Sequence, residues 1–365
     1  MKKITVLVDI YYLKAAVAGI GSYIREFEAS SNDHGSNDFK YVFTHDINKL
    51  VGNSVFLNSN NKIIRWIFQI RYLIYKQVKL PLKILFSNAD YVICPDYVAP
   101  LITFNAKRIT VLHDSLFWDK KNNYSVLWRK YFIALINLGM NSRTQIVTTS
   151  NYSKNNLIKI FGNKRTINFV YQSFNFYKTT SPNYKTPENY LLHIGSFEKR
   201  KDLITLIKAF KLVKDDSLKL VLAGAQIING SSEVLDEIKT FIFQNKLEDK
   251  VILAGYVSKD EASVLYKNAR IYVFPSLDEG FGIPILEALS FSLPVICSDI
   301  DIFKEVGGEY VEYFKVGDSV SLSKKIISVL ESDKLRQNDN TKHINKFSRK
   351  NFIKGFERII LDSND

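Results

Sequence analysis

The chain has 365 residues, 46% of them hydrophobic and 24% charged, which is too long for a single ordinary core and too apolar for a disordered chain. Its net charge is +13, and no run of eighteen uncharged apolar residues occurs, so no spanning helix is expected. The opening MKKITVLVDIYYLK is interrupted by Asp9 and Lys14 and makes a poor signal peptide; the only cysteines, Cys94 and Cys297, lie in separate apolar runs, so no disulfide and a cytoplasmic location are expected.

In the first half, continuous β-branched runs begin at Ile4 (ITVLVDI), Tyr41 (YVFT), Tyr91 (YVIC), Ile109 (ITVLHD), Ile146 (IVTTS) and Ile167 (INFVYQ). Stretches long enough for helices separate them, which predicts a parallel sheet covered on both faces. After the first strand, AGIGSYIREF places Gly19 and Gly21 at a strand-to-helix turn; a dinucleotide fingerprint would want a third glycine where Ile24 stands. The stretch Lys62–Lys83 carries six basic residues, four aromatics and no acid. It reads either as a basic face for an anionic surface or as a solvated face with Trp66, Phe68, Tyr72 and Tyr75 partly in the core. VLHDS ends a strand on His113 and Asp114, where a histidine is as often a packing residue as a functional one. In SNYSKNNLIKIFG, Ser150 or Ser153 suits a helix cap.

The polar stretch 173–189, with Pro182 and Pro187, reads as a linker between a first domain, 1–172, and a second, 190–346. The pattern then restarts with strand-like runs at Tyr190 (YLLHIGS), Leu218 (LKLVLAG), Val251 (VILAGY), Ile271 (IYVFPS) and Pro294 (PVICSD), with amphipathic helices between them. Two doubly wound α/β units in series bind ligands at the carboxyl ends of their strands and predict a cleft between the domains. Charge divides unevenly: residues 1–180 hold 24 Lys+Arg against 10 Asp+Glu, and the remainder 26 against 27.

The densest stretch is PSLDEGFGIPILEAL, Pro275–Leu289. A strand ends at Pro275, SLDEGFG is a loop, and a helix is expected to begin at Pro284, where a missing N–H costs nothing. The amides of Gly280, Phe281 and Gly282 then face the strand ends with the positive end of the helix, which suits a phosphate or a sugar hydroxyl. Glu279 in the loop and Glu287 in the first helical turn are candidate acceptors for vicinal diols, each charge-assisted bond contributing roughly 1.5–3 kcal/mol. The plainer reading makes them a turn residue and a solvated helix residue.

With PV and SD following, this stretch resembles the signature of the retaining nucleotide-sugar glycosyltransferases of family 4. HIGSFEKRKDLITLIKAF is similar to that family's opening of the second domain, and AGIGSYIREF to its first loop. The resemblance covers nearly the whole chain except about Leu50 to Lys83. It implies the GT-B fold, α/β with two Rossmann-like domains facing a central cleft and a last helix, 347–365, crossing back to the first. By the same resemblance Glu279 contacts the transferred sugar, Glu287 the nucleotide ribose, His113 lies beside the reacting sugar, and Gly19, Gly21 and Gly195 approach the donor. Arg200 and Lys201 would hold the diphosphate and offset the charge that grows on it. Three departures stand out. Ser196 replaces a frequent arginine after Gly195, a role Arg200 is placed to take; Ser292 replaces a usual glycine and Arg349 a frequent tryptophan, both expected to affect packing more than chemistry.

The implied reaction is transfer of a hexose with retained configuration, the departing phosphate oxygen deprotonating the acceptor. No cofactor beyond the nucleotide diphosphate sugar and no metal is expected, the pair Asp299 and Asp301 in CSDID falling on a loop and helix-entry element. The form GSFEKRKD points to GDP-mannose, with UDP- and dTDP-sugars open. The expected product is a bacterial surface polysaccharide (capsule, O-antigen or exopolysaccharide) and the acceptor a glycan or a polyprenyl-diphosphate-linked one. The basic first domain suits an anionic membrane, each basic residue near it contributing about 1 kcal/mol, which places the chain peripherally at the inner face of the plasma membrane. A nucleotide-sugar epimerase or hydrolase on the same fold and a nucleic-acid-binding protein are the rival readings; the latter leaves the glutamate pair unexplained.

Overall fold

The β-branched runs form two wholly parallel sheets in the structure, a computed structural model describing residues 3–14, 19–51, 62–119, 126–140, 144–162, 165–174, 184–224, 232–332 and 339–363. The chain divides into two units, Met1–Phe174 with Lys346–Asp365, and Asn175–Asn345. Most of the expected linker falls outside the described residues.

The first unit's sheet runs β2-β1-β3-β4-β5-β6, built from β1 (Ile4–Val8), β2 (Phe39–Phe43), β3 (Tyr91–Cys94), β4 (Lys107–Val111), β5 (Thr144–Thr148) and β6 (Ile167–Phe169). Because β2 lies on one side of β1 and β3 on the other, the strand order reverses at β1/β3. Helix Ile20–His34 covers one face, joined by the last helix, Arg349–Asp362. Phe27, Phe352 and Phe356 meet edge to face there, and Tyr91 donates to the Ile360 carbonyl at 3.1 Å. Arg349 does more than fill space: it pairs with Glu26 (2.9 Å) and Asp33 (3.0 Å), tying the two helices together by charge. Ser150 is the cap of helix Asn151–Phe161, accepting from the Ser153 amide at 3.0 Å.

Lys62–Ile74 is an α-helix that passes through a π-turn, Tyr75–Lys79, into helix Leu80–Ser87. Of the four aromatics that one reading put partly in the core, Phe68, Tyr72 and Tyr75 are buried while Trp66 is exposed. Lys76 is fully buried, so it adds nothing to the basic surface.

The second unit's sheet runs β12-β11-β10-β7-β8-β9, from β7 (Tyr190–Ile194), β8 (Lys219–Ala223), β9 (Val251–Gly255), β10 (Ile271–Phe274), β11 (Val295–Ser298) and β12 (Glu312–Phe314). Its reversal lies between β7 and β10. A core of Leu, Ile, Val and Phe from β7, β8 and β10 packs on helices Leu203–Leu212 and Ser319–Leu330. Two backbone positions show why residue type matters at the strand ends. A Cβ on Gly224 (φ +148°) would meet the Gly195 carbonyl oxygen at 1.8 Å, so β7 and β8 can finish side by side only with glycine there. Ser292 sits at φ +52°, the left-handed conformation that explains why a glycine is the usual occupant. Cys94 and Cys297 are buried and unpaired in β3 and β11.

Candidate active site

In an open α/β sheet the strand ends at the point of reversal leave a crevice, because the neighbouring connections depart to opposite faces. In the second unit that point is the carboxyl end of β7 and β10, and the chain gathers its charge there. β7 leads through Gly195 and Ser196 to a single 3-10 turn, Lys199–Lys201. β10 leads through Ser276 to Glu279, and the two loops are joined by the Leu277 amide donating to the Arg200 carbonyl at 2.8 Å.

Glu279 is buried, and its carboxylate takes the Lys201 ammonium on one oxygen and Arg200 Nη1 on the other at 2.7 Å. Ser276 Oγ donates to the first oxygen at 3.1 Å. Burial alone would raise this carboxyl, but Lys201 and Arg200 outweigh it and hold it below the usual carboxylate range. Burial draws the Lys201 ammonium below its ordinary value, with Glu279 acting in the opposite sense, and the ammonium also lies 4.8 Å over the Phe274 ring. Arg200 turns its Nε to Glu198 at 2.7 Å, and Ser196 donates to the same glutamate. Glu198 was not singled out in the sequence; its position two residues before Arg200 on a loop is the signal that could have found it.

The structure therefore brings Arg200 and Lys201 together with Glu279, which lies 78 residues beyond Lys201 in the chain. The glycine turn follows directly, with Gly282 at φ +107° as the cap of helix Ile283–Ser290. That helix begins at Ile283, one residue before the expected start at Pro284. Glu287 is thus its fifth residue, in the second turn, where the dipole has faded. Its carboxylate is instead positioned by Tyr266, whose hydroxyl donates at 3.0 Å. Phe281 is buried beside the turn and Gly280 precedes it. His193, in β7 beneath Gly195, is a further neighbour that the sequence did not single out; its Nδ1 donates to the Val273 carbonyl at 3.0 Å. Asp299 pairs with Lys304 at 2.6 Å and Asp301 opens helix Asp301–Gly307; among the described residues no group of three or more His, Cys, Asp or Glu comes together.

In the first unit, His113 lies two residues past β4 and its Nε2 donates to the Pro95 carbonyl at 2.7 Å, which leaves the Nδ1 lone pair as acceptor. Tyr23 meets its ring edge-on at 4.7 Å. Gly19 (φ +46°) caps helix Ile20–His34 with open space where a side chain would be, and Gly21 is buried in its first turn. The reversal at β1/β3 is filled. Lys76 lies between Asp9 at 2.6 Å and Asp96 at 2.5 Å, with Tyr75 donating to Asp9 (3.0 Å) and Tyr72 to Asp96 (2.9 Å).

Burial lowers His113 and His193 to about 4, and burial with the charge of Lys83 does the same to His45. Burial raises Asp96 to about 6 against the pull of Lys76. The signs differ. Each histidine binds its proton more readily in the unfolded chain, so its contribution is full above pH 6.5 and is lost as the pH falls towards 4, whereas Asp96 acts in the opposite direction. The three histidines outweigh Asp96 and the less strongly raised Glu28 and Asp202, so stability should fall on acidification through this window. A melting curve of His193→Gln should show a shallower fall than wild type, by up to about 3 kcal/mol in unfolding free energy between pH 6.5 and 4; an unchanged slope would show that His193 is charged in the fold.

Comparison with known proteins places this geometry. Residues 178–345 match the family model of the glycosyl transferases group 1. That match covers nearly the whole of the second unit, Asn175–Asn345. The chain is 30% identical over 222 residues to an O-antigen chain mannosyltransferase of Salmonella typhimurium, covering 60% of this chain and 59% of that protein. It is 27% identical over 225 residues to an N-acetylgalactosamine-N,N'-diacetylbacillosaminyl-diphospho-undecaprenol 4-alpha-N-acetylgalactosaminyltransferase of Campylobacter jejuni, covering 60% and 58%. The chain thus spans less than two thirds of the length of either relative. The solved structure of Anabaena HepE in complex with UDP and glucose superposes with a TM-score of 0.70 over 99% of both chains at 16% identity. That likeness extends beyond the group 1 match to both units, and the GT-B fold expected from the sequence is the fold of this chain.

Proposed function

We propose that the chain transfers a hexosyl unit, mannose from GDP-mannose, to a glycan or polyprenyl-diphosphate-linked acceptor during synthesis of a bacterial surface polysaccharide, with the anomeric configuration retained. The observation that carries this is the meeting of Arg200, Lys201 and Glu279 beside a glycine turn and a helix start at the β7/β10 strand ends. A diphosphate brought there meets two cations already held in place, and preorganised charge of this kind stabilises a leaving group without reorganisation in the transition state. Glu279, already engaged by Lys201, Arg200 and Ser276, accepts from one sugar hydroxyl on a remaining lone pair, and Glu287, steadied by Tyr266, accepts from the ribose diol. As the bond to the diphosphate breaks, its oxygen takes the acceptor proton on the same face of the sugar. The relatives named for mannosyl transfer and for a diphospho-undecaprenol substrate support the donor sugar and the lipid-linked acceptor. The excess positive charge of the first unit draws the enzyme to the anionic inner leaflet where such an acceptor resides.

A thermal-shift panel of GDP, UDP and dTDP tests the donor. GDP should raise the melting temperature by an amount that grows with the logarithm of its concentration, and Arg200→Ala should remove most of the shift. No shift with any nucleoside diphosphate overturns the reading, and a shift only with UDP or dTDP overturns the choice of GDP-mannose. Release of free or epimerised sugar without acceptor would mark a hydrolase or epimerase instead.

A further inference from the structure

The helical segment from Lys62 through the π-turn to Ser87 buries one side and leaves the other bare. Phe68, Tyr72, Tyr75 and Ile84 enter the core, whereas Trp66, Ile70, Ile74, Val78, Leu82 and Phe86 are exposed, at every fourth position over five steps. Trp66 is 67% exposed and Phe86 79%. Half of the large apolar side chains exposed among the described residues lie on this segment or on the loop that adjoins it, at Leu101, Ile102 and Phe104. Gln77 fastens that loop beside the helix, donating to the Ala99 carbonyl and accepting from the Leu101 amide at 2.9 Å.

The π-turn keeps these residues in line. A step of four overshoots an α-helical turn by about 40°, so five such steps on a plain α-helix would wind the row through about 200°. The extra residue taken up by the π-turn reduces this to about 100°, the width of one face. Exposed Arg71, Lys79 and Lys83 follow one border of the row, Lys83 also donating to the Thr44 carbonyl at 2.7 Å. No Asp or Glu occurs between Asp46 and Asp90. A contiguous apolar face of this extent marks an interaction surface. Its charge selects the partner: a second copy of the chain would bring a like basic border against this one, whereas an anionic lipid surface complements the apolar row and the border together.

We propose that this face is an in-plane membrane anchor, the apolar row sinking into the boundary between headgroups and acyl chains while Arg71, Lys79 and Lys83 engage anionic headgroups. It rests on the membrane placement proposed above and adds that attachment is by insertion and not by charge alone. The test is flotation of the full chain with vesicles of phosphatidylglycerol and phosphatidylcholine at rising salt. Wild type should stay bound in 0.5 M NaCl, and Ile74→Asp/Val78→Asp/Leu82→Asp should bind at least tenfold more weakly there with an unchanged melting temperature. Brominated acyl chains should quench a part of the tryptophan emission that is missing in Trp66→Phe. Binding at low salt that is lost at high salt, with the triple variant indistinguishable from wild type, overturns insertion and leaves charge attraction intact. No binding at any salt overturns both. A dimer in sedimentation velocity that the triple variant dissociates overturns the proposal in favour of a face between copies.

Discussion

Lys201→Ala should lower transfer by about 10²- to 10³-fold and lower the melting temperature as well. The first effect is the ordinary cost of removing one preorganised charge from beside a leaving group. The second comes from Glu279, whose buried carboxylate loses one of its two cations. Breaking a buried ion pair from one side costs about 3–5 kcal/mol because the partner charge stays behind. Arg200 remains, so the lower end of that range is expected. The simple expectation from sequence, loss of activity in a protein folded as before, therefore needs a second variant. Lys201→Met with Glu279→Gln removes both charges and should recover most of the lost stability while staying inactive. Steady-state transfer assays and thermal melts of the three proteins decide the matter. Near-normal turnover by Lys201→Ala would sink the assignment of its role, and recovery of activity in the double variant would show that only the unpaired carboxylate had been harmful.

Lys76→Ala should be the most destabilising single change in the first unit. This lysine is wholly buried between Asp9 and Asp96, which also close the strand reversal at β1/β3. Its loss leaves two carboxylates facing each other in the interior with only hydroxyl and amide donors, at a cost of about 3–5 kcal/mol. For a unit of this size that corresponds to a fall of about 10 °C in melting temperature. Lys76→Met with Asp9→Asn and Asp96→Asn should restore most of it. A change below 2 °C for Lys76→Ala, read by circular dichroism, would show that water reaches the site and screens the carboxylates.

The sheets were legible because most strands are apolar runs rich in β-branched residues, whereas the edge strand β12, Glu-Tyr-Phe, has none and was not read from the sequence; the second unit's site was legible because its residues sit in short loops at strand ends. Arg200 and Lys201 could be related to Glu279 only through the resemblance, since Glu279 lies 78 residues beyond Lys201 and no periodicity connects β7 to β10. Their mutual neutralisation was not legible at all. Sequence shows which groups are charged but not which are withdrawn from water, so Glu279 read as an open acceptor although it is already engaged. The same blindness applied to Lys76, counted from sequence as one of six cations for an anionic surface and found inside. Glu287 was read one residue nearer the helix start than it lies, and the hydrogen bond from Tyr266, 21 residues earlier in the chain, had no signal in the sequence.

The π-turn at Tyr75–Lys79 makes this stretch sensitive to length in a way that a loop is not. Deleting one residue from it would restore regular α geometry with the downstream residues facing as before, whereas straightening it to α geometry at full length would rotate everything downstream by about 100°. Ile84 would leave the core and Lys83 or Leu82 would swing towards it, while Lys76 would still require its two aspartates. Homologous chains that keep a lysine at this place should therefore keep either the π-turn at this length or a regular helix one residue shorter.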